Sequence, residues 1–247
     1  RALALLSVIF YHAKFMPYEN IWFEGGYIGV DIFFVISGYL ITRIILSELK
    51  IKNSFSFINF YERRARRILP MLLTVIFVSI PFAWNKLLPS DFIDFSESII
   101  SSIFFASNLF FYFNTTEYGA DSSLLKPMLH TWSLSVEEQF YLIFPFIAIF
   151  SYKLAKSHFL IIILTLSFIS LGYAELMEVR NKDLNFYSPF SRFWELAIGS
   201  VLAHIELNRR KSNVNFYLKF LPILGSVLIV YSIFFFNSKT AHPGLIT

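Results

Sequence analysis

Apolar runs recur along the chain, separated by short polar breaks: 2–14, 26–46, 69–88, 99–113, 132–151, 158–174, 190–204 and 219–236. Runs of this length and frequency belong to segments that cross a bilayer, whose hydrocarbon core is about 30 Å thick. Lipid offers no partner to backbone N–H and C=O groups, so each run satisfies its own as a helix. The pattern predicts an all-α, polytopic transmembrane helical bundle. Cations fall between the runs unevenly. The stretch 43–69 holds Arg43, Lys50, Lys52, Arg63, Arg64, Arg66 and Arg67; Lys153 and Lys156 mark a second break, and Arg209, Arg210 and Lys211 a third. The positive-inside rule places all three in the cytoplasm. This requires that 99–113, short and rich in Ser and Asn, not cross fully. Seven crossings plus one re-entrant or interfacial element is the favoured arrangement, and eight crossings the alternative. The outer segments 15–25, about 85–130 and 175–189 then carry fewer cations and several acids, among them Asp91, Asp94, Glu97, Asp121, Glu175 and Glu178.

Composition agrees with the pattern. The chain is 56% hydrophobic and 19% aromatic, with a mean hydropathy of +0.59, values outside the range of soluble domains. It has no cysteine, which excludes disulfides, thiolate nucleophiles and Cys-based metal sites. No small-residue cleavage site follows the first apolar run, so no signal peptide is read. The chain opens at Arg1 inside an apolar run and reads as an N-terminal fragment: one transmembrane domain over 1–247, incomplete at both ends. No repeat or second domain is visible, and nothing points to nucleic acid.

Candidate chemistry sits in the apolar runs. Arg1 and His12 are eleven residues apart, close to three helical turns. They share one face, roughly 16 Å apart along the axis. An ionisable group within a span costs about 2.5–3.5 kcal/mol and is functional by default; histidine can stay neutral there and still move protons. Next, the run Gly25–Thr42 carries Gly29, Ser37, Gly38 and a single acid, Asp31. The glycines allow close approach of helices or substrate. Asp31 pairs with His12 or Arg1, binds substrate hydroxyls, or merely sits among outer headgroups.

The third feature is Glu62-Arg-Arg64-Ala-Arg-Arg67-Ile-Leu-Pro70. Arg64 and Arg67 are one turn apart and can converge on one anion, since guanidinium forks match phosphate oxygens. The plainer explanation is a topology determinant touching anionic lipid. Pro70 fits the first turn of the next helix. Fourth, His130, Ser133, Glu137 and Tyr141 follow i, i+3, i+7, i+11, a polar stripe entering a span, with Glu138 on another face; an interfacial start with Trp132 in the aromatic belt is the bland alternative. Fifth, Arg192, Glu195 and Gly199 follow i, i+3, i+7. Arg192 and Glu195 can pair locally, bind a polar acceptor or stabilise a developing anion. His158, His204 and His242 lie at span edges and read as ordinary interfacial residues. No paired-His motif suggests a metal.

Taken together, Arg1-x10-His12, Gly29-Val-Asp31-x-Phe-Phe-x-x-Ser37-Gly38, Arg64-x-x-Arg67-Ile-x-Pro70, Trp132-Ser-Leu-x-x-Glu137-x-Gln139-Phe-Tyr141 and Arg192-x-Trp194-Glu195-x-x-x-Gly199 resemble the acyltransferase family 3 membrane O-acyltransferases. The resemblance covers nearly the whole chain, with five motifs in order. It implies a multi-pass enzyme of the bacterial inner membrane. Such an enzyme moves an acyl group, usually acetyl, from cytoplasmic acyl-CoA to a hydroxyl of a cell-surface glycan. The acceptor would be lipopolysaccharide O-antigen, peptidoglycan, another surface glycan, a lipid-linked sugar or a small secreted molecule. No bound cofactor or metal is implied; acetyl-CoA is a co-substrate, and membrane lipid surrounds the bundle. By the same resemblance His12 is essential, and Arg1, Arg64 and Arg67 hold the donor. The family usually has about ten spans, so two or more are expected beyond this chain. The surroundings of Tyr118 and Leu125–Trp132 look like members with a C-terminal SGNH hydrolase-like domain.

The working expectation assigns His12, Glu137 and Asp31 to catalysis and Arg1, Arg64 and Arg67 to the donor. Arg192, Glu195, His130 and Ser37 are assigned to the acceptor or the oxyanion. His12, oriented by Glu137 or Asp31, would deprotonate the attacking hydroxyl. The rival class is a polytopic transporter of an anionic or sugar substrate, which would also bury His, Asp and Arg. It should show inverted repeats, and none is found.

Overall fold

The computed structural model describes residues 2–13, 23–116, 126–154, 158–208, 220–236 and 242–244. Every regular element among them is helical. The chain forms α1 (Ala2–His12), a 3-10 turn (Glu24–Tyr27), α2 (Ile28–Lys52), α3 (Phe57–Lys86), α4 (Pro89–Ile103), α5 (Ser107–Thr116), α6 (Thr131–Leu154), α7 (Phe159–Arg180), α8 (Lys182–Tyr187), α9 (Pro189–Asn208) and α10 (Leu221–Phe235). Four stretches are long and apolar enough to cross a membrane: Glu24–Lys52, Phe57–Lys86, Thr131–Lys153 and Phe159–Arg180; α1 and α10 are shorter apolar helices. Large apolar side chains such as Phe77, Trp84, Phe150 and Phe168 face outward. In water such a surface would drive aggregation, and in lipid it is the expected one.

α2 is the central helix and packs most extensively on α9. The two cross at glycines. A Cβ on Gly38 would run into the Leu196 carbonyl oxygen, and one on Gly199 into the Val35 carbonyl oxygen. Helices in lipid gain by such close backbone approach, because apolar area alone drives no association there. α1 runs antiparallel to α2: Tyr11 and Ser7 lie against Gly26, and Ala4 and Ser7 against Gly29. His12 therefore lies at the end of the bundle that holds the start of α2, the start of α6 and residues 242–244. The opposite end collects Lys50 and Lys52 of α2, the arginines of α3 and Lys153 of α6. These are called the histidine end and the cationic end below.

Two local expectations are corrected. Pro70 does not open a helix: α3 begins thirteen residues earlier at Phe57, capped by Ser56 Oγ accepting from Asn59 N at 3.4 Å, and runs through Pro70 and Pro81. Arginine is a strong helix former, and the carbonyls of both prolines accept side-chain hydrogen bonds one turn on, from Thr74 (2.7 Å) and Asn85 (2.8 Å). The run 99–113 is not one helix. It breaks at Phe104–Ala106, where Phe105 takes φ 52°. That left-handed backbone is strained for a bulky residue. Gln139 of α6 holds it, donating from Nε2 to the Phe105 carbonyl (2.7 Å) and to Asn108 Oδ1 (2.8 Å). Ser102 and Ser107 hydrogen-bond Thr131 (2.7 and 2.9 Å), and Ser107 also bonds Ser135 (2.7 Å), fixing the broken pair against α6.

Candidate active site

The predicted residues fall into three layers rather than one cluster. At the histidine end, His12 closes α1. Its Nδ1 lies 2.8 Å from the Val8 carbonyl oxygen. A carbonyl only accepts, so Nδ1 carries the proton and Nε2 keeps a free lone pair. The ring is exposed and meets His130 edge-to-face at 4.5 Å between centroids. Burial, and His12 beside it, hold the His130 imidazole below its ordinary range. The expected partner of His12 was a carboxylate, Glu137 or Asp31, with Arg1 the other candidate partner of Asp31. Arg1 lies outside the described residues, and the ring beside His12 is that of His130.

Asp31 is committed elsewhere. Arg192 Nη1 donates to Asp31 Oδ1 at 2.9 Å and to Glu195 Oε1 at 3.1 Å. Arg192 and Glu195 are 0% and 1% exposed and Asp31 9%. The guanidinium also lies over the rings of Trp132 (5.5 Å) and Phe186 (5.3 Å), where desolvation strengthens the cation–π attraction. The local Arg192–Glu195 pair was legible from the i, i+3 spacing. Its third and fourth members were not. Arg192 Nη2 donates to His242 Nε2 at 3.1 Å, and His242 Nδ1 stands 3.6 Å from Asp31 Oδ2. Arginine stays protonated, so His242 accepts at Nε2 and is neutral with its proton on Nδ1. Burial first, then Arg192, hold its imidazole well below the usual range. A histidine outside every apolar run gives no periodic signal that it folds back into the bundle.

Deeper along α2 and α6 lies the third layer. Ser37 Oγ donates to Glu137 Oε1 at 2.7 Å, and Tyr141 hydroxyl to Glu137 Oε2 at 3.3 Å. Arg64 of α3 caps this column from the cationic end, its guanidinium 4.3 Å from the Tyr141 ring centroid. Glu138 buries an Oε1 without a hydrogen-bond partner. By helical rise, Ser37 is ~9 Å further in than Asp31 and Glu137 ~10 Å further in than His130. Among the α3 arginines, Arg63 pairs with Glu48 (3.8 Å) and Arg66 with Glu62 (2.7 Å). No ion pair within 4.0 Å among the described residues engages Arg64 or Arg67; Arg64 lies over Tyr141 and its charge acts on Glu138. No group of three or more His, Asp or Glu that could hold a metal occurs among the described residues.

A bundle of apolar helices with histidines at one end, arginines at the other and a polar column between defines a helical membrane protein. The chain belongs to the acyltransferase 3 family, whose acyltransferase domain it matches over residues 1–246. It is 35% identical over 222 residues to the peptidoglycan O-acetyltransferase OatA of Listeria monocytogenes, which covers 87% of this chain and 34% of that protein. It is 34% identical over 247 residues to a putative peptidoglycan O-acetyltransferase, YrhL, of Bacillus subtilis, covering 95% of this chain and 38% of that protein. An uncharacterized protein of Haemophilus influenzae is 37% identical over 234 residues, covering 87% of this chain and 91% of its own length. The chain thus spans about a third of the Listeria protein it matches. No solved structure matches.

Proposed function

We propose that this chain is the transmembrane acyl-transfer unit of an O-acyltransferase. It takes an acetyl group from cytoplasmic acetyl-CoA and passes it to a hydroxyl of a cell-envelope glycan. Peptidoglycan is the first candidate acceptor, from the names of the Listeria and Bacillus relatives; lipopolysaccharide O-antigen is the second. The observation that carries the reading is the form of His12. Its Nδ1–H is spent on the Val8 carbonyl, which leaves Nε2 as a base at an exposed site. A general base needs that state, within reach of an incoming hydroxyl.

The cationic end supplies the donor site. Arg64 and Arg67, one turn apart and outside any ion pair among the described residues, suit the phosphates of CoA. The acyl-bearing arm then runs past Tyr141 and Glu137 toward the histidine layer. The thioester carbonyl is attacked by the hydroxyl oxygen as His12 Nε2 takes its proton. The C–S bond breaks, and the sulfur leaves toward the cytoplasm. His130 lines the acceptor side, and Ser37 and Glu137 flank the donor arm. This reading places the chain as a multi-pass protein of the inner membrane, with the cationic end in the cytoplasm. Replacing His12 by Ala lowers acetyl-CoA-dependent release of free CoA by about 10²–10⁴-fold, the usual worth of a positioned base. Full CoA release by His12→Ala, at matched protein level in membranes, removes His12 from the mechanism.

A further inference from the structure

α6 carries Pro145 in its interior. Proline has no N–H, so the Tyr141 carbonyl, four residues back, loses its helical donor. In an apolar span a bare carbonyl is costly unless a neighbouring helix supplies a donor. α3 supplies one. The Tyr61 hydroxyl donates to the Leu142 carbonyl at 3.0 Å and stands 3.4 Å from the Tyr141 carbonyl oxygen. The Tyr61 ring is half-buried and held by its own helix: Phe60 meets it edge-on at 5.1 Å between centroids, and Phe57 lies nearly parallel to it at 6.5 Å.

This bond fixes more than a stretch of backbone. Phe57, Tyr61 and Arg64 follow i, i+4, i+7 and share one face of α3. That face meets α6 in antiparallel order. Phe57 stacks on Phe146 at 4.7 Å, Tyr61 bonds the Leu142 carbonyl, and the Arg64 guanidinium lies 4.3 Å from the Tyr141 ring centroid. Ring contacts tolerate centroid separations from about 4.5 to 7 Å, and a cation holds over a ring anywhere within about 6 Å of its centroid. Both let one helix slide or turn on the other. A hydrogen bond weakens steeply once its angle or length is lost. The Arg63–Glu48 pair beside them is 3.8 Å long with its arginine largely exposed, and adds little. The register of α3 on α6 therefore rests chiefly on the Tyr61 hydroxyl. That register sets where the Arg64 fork stands above the column of Tyr141, Glu137 and Ser37.

We propose that Tyr61 is a positioning residue for the acyl donor. Its hydroxyl docks α3 on α6 beside the carbonyl that Pro145 leaves open, and so holds Arg64 where the phosphates of CoA can meet it. The effect on the donor rests on the acyl-transfer reading; the docking of α3 does not. The test variant is Tyr61→Phe, which removes the hydroxyl and keeps the ring with its contacts to Phe57 and Phe60. Two readouts are taken on the full-length protein in lipid nanodiscs. One is the distance between spin labels at Met71→Cys on α3 and Ile143→Cys on α6, both exposed positions. The other is KM and kcat for CoA release from acetyl-CoA, with Arg64→Ala alongside. Tyr61→Phe should shift or broaden the distance distribution and raise KM about three- to tenfold, what one such hydrogen bond is worth, with kcat within about twofold. A merely structural tyrosine would lower kcat through loss of folded protein and leave KM alone. A wild-type distance distribution in Tyr61→Phe overturns the proposal. So does an unchanged KM in Tyr61→Phe when Arg64→Ala raises it. A shifted distance in Tyr61→Phe beside an unchanged KM in Arg64→Ala upholds the docking and removes Arg64 from the donor site instead.

Discussion

One hydrogen bond decides what His12 can do. The Val8 carbonyl accepts a hydrogen bond from Nδ1, which leaves Nε2 as the accepting nitrogen of the neutral ring. His130 stands against it and is pushed below the ordinary imidazole range by its own burial and by that neighbour. Removing His12 weakens both causes. In His12→Ala the His130 ring should therefore titrate at higher pH than in wild type, read by ring NMR shifts in detergent; an unchanged or lower midpoint contradicts the pairing. His242 gives a stability prediction. Its native pKa is depressed, by burial and by Arg192, so below about pH 6.5 an unfolded chain binds a proton that the folded one refuses. Folded stability is full above that pH and falls as pH drops beneath it. His242→Asn should flatten this dependence in thermal melts; a variant that keeps the wild-type slope means that another group sets it.

At the scale of elements, the helices are legible in the sequence and their joints are not. Periodicity and length find α6 and α9 within a few residues, and α2 and α7 with C-terminal ends six residues short, because apolar runs of that kind have one way to satisfy their backbone. They miss the twelve residues of α3 before the expected span. Glu62 and the arginines of 63–67 interrupt the apolar pattern without interrupting the helix, which simply continues through its polar end. The break at Phe105 is foreshadowed by Ser and Asn content alone. What holds it is Gln139, and an amide inside an apolar span is the signal that points there. The α2–α9 crossing is partly legible: Gly38 and Gly199 mark points of close approach, and each meets a carbonyl of the other helix. Gly199→Ala forces a methyl against the Val35 carbonyl, and overpacking of that kind costs about 1–3 kcal/mol. A lowered unfolding temperature in detergent is expected; wild-type stability would show that the crossing yields freely.

Across the whole molecule, spacing suggests His12, Asp31 and Glu137 as one catalytic group, and the fold spreads them over three depths. The reason is register. Asp31 and Ser37 are under two turns apart on α2, so when Asp31 meets Arg192 of α9, Glu137 of α6 meets Ser37 instead. One-dimensional spacing shows which residues share a face and not which helix that face will meet. The resulting order runs from the arginines at the cationic end, through a hydrogen-bonded carboxylate and the buried Asp31–Arg192–Glu195 group, to the His12 imidazole at the far end. On the proposed function, the acetyl group passes vectorially through this column. The direct test uses full-length protein in inverted membrane vesicles, with labelled acetyl-CoA supplied at the exposed cytoplasmic face. Wild type should place label in the glycan enclosed in the vesicle, and His12→Ala or the Arg64→Ala/Arg67→Ala double variant should not. Label that reaches the glycan equally well without His12, or only when acetyl-CoA is sealed inside, would contradict it.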